Sequence, residues 1–278
     1  MCHARLTVVS LLGLLGLTVA ACASPAQRFS AWANDRGLRA AIVEGAGFEH
    51  VVFWPRAPVS ATTLHVYLDG DGSPWIEGTP ASDPTPRRTL VLDLMRLDPR
   101  PSVYVGRPCY HGTAERPPCH AALWTRDRYS ERVVASMASA VRRIMEAGAV
   151  ERVVWIGYSG GGTLAMLLAP RFSASAAIVT VAANLDIDAW ADLHGYQRLE
   201  GSLNPARRQG PPPSVPQRHY AGGADAVVPP AIVARGPIAP GSLRIIPRFD
   251  HRCCWVTLWP EILAELTGHA LPWEKPAI

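Results

Sequence analysis

The chain has 278 residues, 48% of them hydrophobic and 18% charged, and carries a formal net charge of +4. That composition excludes a disordered polymer, and the part beyond the N-terminal segment, about 257 residues, suits one domain with a sizeable core. Lys275 is the single lysine, and the arginines are scattered or paired at most, as in Arg87-Arg88 and Arg207-Arg208, so no stripe for nucleic acid is present.

Arg5 precedes an apolar run from Leu6 to Val19 that ends in small residues and is too short to span a bilayer comfortably. Residues 1–21 therefore read as a secretory signal. Val19-Ala-Ala-Cys22 resembles the bacterial lipobox, which implies that Cys22 becomes the first mature residue and carries fatty acyl chains such as palmitate. The chain is then expected at the cell envelope, lipid-anchored to a membrane, with Ala23 favouring the outer membrane. The alternative is a plain signal cut after Ala-x-Ala.

Residues 22–47 read as an N-terminal linker, with Gln27 to Gly37 helical or irregular, and 48–278 as a single domain. Phe48 to Trp54 and Thr63 to Leu68 have strand patterns, separated by a proline-containing bend from Pro55 to Ser60. Asp69-Gly-Asp-Gly72 ends the second strand, and a tight Asp-Gly turn is one reading of it. It is no calcium loop, because Pro74 occupies the position where the EF-hand pattern requires glycine. A helix is expected over Leu90 to Leu97, stopped by Asp98-Pro99, and a strand over Ser102 to Val105. Ser130 can N-cap a long helix whose Val134, Met137, Val141, Ile144 and Met145 recur on one face, with Gly148 ending it.

The run Trp155-Ile-Gly-Tyr-Ser-Gly-Gly-Gly162 follows. A short strand, Arg152 to Ile156, breaks into glycines around Ser159 and a helical pattern starts at once, carrying Leu164, Leu167 and Leu168. A serine that attacks an acyl carbon must stand clear on a sharp strand-to-helix turn, so the residues two before and two after it must be small. Gly157 and Gly161 meet that demand. The amide of Gly160, at the positive end of the helix, is placed to hydrogen-bond the oxyanion of a tetrahedral intermediate. A phosphate cradle is disfavoured, since no lysine follows the glycines and Gly157-x-Ser159 does not open a dinucleotide fingerprint.

A serine nucleophile needs a histidine to take its proton and a carboxylate to orient that histidine, here in the chain order serine, acid, histidine. After the strand Ala177 to Ala182 comes a segment of about 31 residues, Asp186 to Pro216, where a lid could be inserted; its length excludes a large cap domain. Gln217 to Tyr220 reads as a strand and Ala221 to Pro230 as the loop behind it, with Asp225 the natural acid. Ser242 to Ile246 is a further strand, and His251, in the loop after it, is the natural base. Asp186 and Asp188 are fallback acids, while Asp250 would point elsewhere. A last helix spans Pro260 to Leu266 and closes at Gly268.

Beyond the signal and Cys22, four cysteines remain: Cys109, Cys119, Cys253 and Cys254. An exported protein favours disulfides, but three connectivities are open. Zinc on Cys109, His111, Cys119 and His120 would match no standard ligand spacing. Trp75, Trp124, Trp190 and Trp255 either line an apolar pocket or belong to the core.

Strands alternating with helices imply a mostly parallel sheet with helices on both faces. With Ser159, Asp225 and His251 in place, residues 48 to 266 resemble the α/β-hydrolase superfamily. More closely, Tyr67-Leu-Asp-Gly-Asp-Gly, Gly106-Arg-Pro-Cys-Tyr110, Leu123-Trp-Thr-Arg-Asp-Arg-Tyr129, Gly157 to Ala165 and Asp250-His-Arg-Cys-Cys-Trp255 resemble a group of uncharacterised bacterial lipoprotein hydrolases. By the resemblance to the His-Gly-Gly loops of esterases, the backbone amide of Asp71 would be the second oxyanion donor. The resemblance implies a serine hydrolase of small or lipid-like carboxylic esters, needing no cofactor, metal or nucleic acid. Peptidase, amidase or acyltransferase chemistry on the same residues, or an inactive ligand-binding lipoprotein, are the alternatives.

Overall fold

In the computed structural model the described residues are 23–56 and 61–268. A helix α1 (Pro25–Asp35) leads into β1 (Leu38–Glu44), β2 (Glu49–Pro55) and β3 (Thr63–Leu68); a small hairpin of β4 (Trp75–Ile76) and β5 (Thr79–Pro80) follows. Next come α2 (Leu90–Arg96), β6 (Ser102–Val105), α3 (Glu131–Gly148), β7 (Arg152–Tyr158), α4 (Gly160–Leu168) and β8 (Ser175–Val181). The chain closes with α5 (Ile187–His194), β9 (Gln217–Gly222), α6 (Pro230–Ala234), β10 (Leu243–Ile246) and α7 (Trp255–Gly268).

Eight strands form one sheet in the order β1-β2-β6-β3-β7-β8-β9-β10. From β6 to β10 every neighbouring pair is parallel, while β2 runs antiparallel to both β6 and β1. The central strands are apolar on both faces because both are covered. In β7, Val153 and Trp155 point into one buried cluster with α3 and α4, while Val154 and Ile156 point into a second with α1, α2 and α7. The period-2 alternation of side chains produces this sorting. It yields the three-layer α/β-hydrolase architecture expected from the sequence, with the parallel strands all opening their C-terminal ends toward the same edge.

The stretch read as a linker is part of the fold. Ser24 caps α1 with a full capping box, and Phe29 and Ala33 are buried. All seven positions of β1 pair with β2, from Leu38 opposite Pro55 to Glu44 opposite Glu49. β1 escapes sequence patterning because it is an edge strand with a largely exposed burial pattern and two consecutive alanines, so alternation is weak. The bend expected at Pro55 to Ser60 falls partly on residues outside the described ones, as do the signal segment and Cys22.

Candidate active site

Ser159 stands between β7 and α4 with φ 52° and ψ −123°, a backbone conformation that side-chain-bearing residues rarely adopt and that costs on the order of 1–3 kcal/mol. The turn is held by the Ser159 amide donating to the Val181 carbonyl and the Gly162 amide donating to the Ser159 carbonyl, both at 2.9 Å. The two flanking glycines are sterically required. A Cβ on Gly157 would strike the Gly161 backbone, and one on Gly161 would strike the Leu68 carbonyl.

The loops after β9 and β10 bring the other two groups to this turn. His251 Nε2 lies 3.1 Å from Ser159 Oγ, and His251 Nδ1 lies 2.8 Å from Asp225 Oδ2. A carboxylate can only accept, so Nδ1 carries the proton and Nε2 is left to receive one from the serine. Asp225 is buried, and its Oδ1 accepts the amides of Val227 and Val228, each at 2.8 Å. The histidine loop is fixed as firmly. Asp250 Oδ1 accepts the amides of Arg252 and Cys253, at 2.7 and 2.6 Å, while the His251 carbonyl accepts from Tyr158 Oη and Trp255 Nε1.

β3 lies beside β7, so the Asp69-Gly-Asp loop abuts the serine, and a Cβ on Gly70 would sit 3.4 Å from Ser159 Cβ. Among the described residues the amide of Asp71 has no hydrogen-bond partner. The amide of Gly160 opens a helix, where no intrahelical acceptor exists. Two free donors thus stand on the two segments that meet at Ser159.

The Asp71 side chain is held by three donors. Arg107 Nη2 and Tyr129 Oη reach Oδ1 at 2.8 and 2.5 Å, and Arg128 Nη1 reaches Oδ2 at 2.8 Å. Burial alone would raise this carboxyl, but the adjacent Arg128 and Arg107 charges and the Tyr129 hydroxyl hold it below the usual carboxylate range. Its neighbour Asp69 goes the other way. Burial pushes Asp69 up to about 7, against the Gly70 amide and the charge of Arg107. In the sequence nothing marks Arg107, Arg128 and Tyr129 as individual residues. Their only signal was membership of the two short motifs around positions 106–110 and 123–129.

The fallback acids are engaged elsewhere. Asp186 caps α5 and pairs with Arg235 and Asn204, and Asp188 pairs with Arg207 and Asn204. Cys109 is bonded to Cys119 and Cys253 to Cys254, and among the described residues no group of three His, Cys, Asp or Glu side chains could hold a metal. Trp124 and Trp255 are core residues, whereas Trp75 is exposed and Trp190 donates to the Val227 carbonyl beside the acid loop.

No protein-family model and no curated protein matches the sequence significantly. Solved structures resemble it in three dimensions. An esterase from Pyrococcus furiosus superposes with a TM-score of 0.58 at 11% identity, covering 87% of this chain and 93% of that one. A serine hydrolase from Xanthomonas campestris, described as lacking a lid, gives 0.54 at 13%, over 87% of this chain and 96% of that one. A carboxylesterase from Bacillus subtilis gives 0.55 at 13%, over 88% and 99%. Topology, elbow geometry and these superpositions agree that the chain has the α/β-hydrolase fold.

Proposed function

We propose that the protein is a serine hydrolase of carboxylic esters, held at the bacterial envelope by a lipid on Cys22. The observation that carries the catalytic part is the unbroken line from Ser159 Oγ through His251 to Asp225, at 3.1 and 2.8 Å, with the serine on a strained elbow. In this reading Ser159 Oγ attacks the acyl carbon as its proton passes to His251 Nε2. Asp225 stabilises the resulting imidazolium, and the amides of Gly160 and Asp71 receive the oxyanion. Collapse expels the alcohol, which leaves with the proton from His251. Water then attacks the acyl-enzyme by the same route, releasing the acid and restoring the serine. The ester reading draws support from the esterase and carboxylesterase names of the Pyrococcus and Bacillus structures and from the short segment available for a lid.

The test is labelling with an active-serine fluorophosphonate, followed by turnover of esters of graded chain length beside aminoacyl amides. Wild type should label and Ser159→Ala should not; an unlabelled wild type, or equal labelling of both, would sink the catalytic reading. Faster turnover of the amides than of any ester would replace the esterase by an amidase. Tethering is tested separately by metabolic labelling with palmitate, which should disappear in Cys22→Ala while fluorophosphonate labelling persists. A wild type that takes up no palmitate would leave an untethered enzyme.

A further inference from the structure

The proton transfer above makes no use of the segments Gly106-Arg-Pro-Cys-Tyr110 and Leu123 to Tyr129. Yet four side chains from these segments converge on one residue of the loop that abuts Ser159. Arg107, Arg128 and Tyr129 hold the Asp71 carboxylate, and Tyr110 Oη donates to the Asp71 carbonyl at 2.9 Å. Both guanidiniums are buried, at 5% and 6% exposure, and that of Arg107 lies over the Tyr129 ring at 5.2 Å. With its side chain and carbonyl both tied, Asp71 keeps one polar group free, its amide.

The same cluster reaches the other donor. A Cβ on Gly160 would collide with Asp71 Oδ1 and Tyr129 Oη and lie 2.8 Å from Arg107 Nη2. Both amides offered to the oxyanion are therefore seated against one buried group of charges. A lone carboxylate there would repel the negative charge that develops during acyl transfer. Two guanidiniums against the Asp71 carboxylate, with the neighbouring Asp69 carboxyl kept protonated below about pH 7, reverse the sign and leave a net positive charge behind the donors.

We propose that Asp71, Arg107, Arg128 and Tyr129 form a positioning cluster that aims the Asp71 and Gly160 amides and supplies the positive charge behind them. The inference rests on the hydrolase reading for its catalytic part. Arginine suits the task better than lysine, since each fork holds its charge while bonding in a fixed plane. The side chains of Arg107, Arg128 and Tyr129 are buried behind the loop, so they act through the two amides. An ion pair that merely staples loops together would instead affect stability and leave the transition state no worse bound than the substrate.

That difference decides the experiment, done on the full chain in detergent with Tyr129→Phe and Arg128→Lys. Tyr129→Phe removes one hydroxyl and guards against failure of the arginine variant to fold. On a soluble ester, kcat should fall roughly tenfold in Tyr129→Phe and roughly a hundredfold in Arg128→Lys, with KM within about threefold of wild type. Affinity for a boronic acid, whose serine adduct carries the tetrahedral negative charge, should fall by the same factors. Hydrogen exchange of the peptide spanning residues 69–74, read by mass spectrometry, should accelerate in both variants. Unchanged kcat, boronate affinity that holds while thermal stability drops, or unaltered exchange would each overturn the cluster's role. Exchange is readable in an inert protein: a wild type unreactive to fluorophosphonate strikes the hydrolase reading and with it the oxyanion role, whereas a labelled wild type with unaffected variants strikes the cluster alone.

Discussion

Asp69 is one residue whose titration bears on stability. Its folded-state pKa of about 7 lies above the ordinary value of 3.8, so the folded chain keeps this proton over a range in which the unfolded chain has lost it. The associated stability is complete below about pH 4 and is lost as pH rises through about 7. The difference amounts to an order of 4 kcal/mol at about 1.4 kcal/mol per unit. Buried His50, His111 and His219, all held neutral, weaken both chains alike toward low pH, so the denaturant midpoint of wild type minus that of Asp69→Asn should fall from pH 4 to pH 8, and parallel curves would refute the assignment. At the same scale, the meeting of Ser159, Asp225 and His251 was legible because the roles proposed for them each impose a local rule: glycines two places either side of a serine, then acid and histidine in loops behind strands. No such rule exposes Arg107 or Arg128. In a sequence a lone arginine reads as a solvated surface group, and only folding shows that two of them, themselves buried, share one partly buried carboxylate.

Elements with internal pattern read well, and elements created by their surroundings did not. Ser130 caps α3 by accepting the Val133 amide on its Oγ, as its position before the apolar stripe required, although the helix continues through Gly148 and turns left-handed at Ala149. α7 was expected to begin at Pro260, the favoured first position for proline. It begins instead at Trp255, with Pro260 inside, because fully burying Trp255 and Trp259 outweighs the lost backbone bond. The β4–β5 hairpin, with two residues per strand and a proline in one, offers no period to detect. The loop from Cys109 to Cys119 depends on its crosslink. Cys109 has φ 69° and His111 φ 57°, strained positions two and four residues beyond Arg107. Closing a loop with a sequence separation of 10 contributes roughly 2–3 kcal/mol. Replacing Cys109 and Cys119 together by serine should lower the unfolding free energy by about that much in urea titrations, and an unchanged midpoint would show the bond to be dispensable.

For the molecule as a whole, alternation of strands and helices disclosed the parallel sheet and its C-terminal edge, where Ser159, Asp225 and His251 meet. It did not disclose where the domain begins, since α1 and β1 lack the apolar alternation that marks the central strands. One consequence concerns any shortened version of this protein. β1 occupies the hydrogen-bonding side of β2 along its full length, from Glu49 to Pro55. Starting expression at residue 48 would strip that cover and bare a row of unpaired amides and carbonyls to any passing chain. Such a fragment should elute from size exclusion as soluble oligomers or be lost to precipitate, even with every reactive group intact.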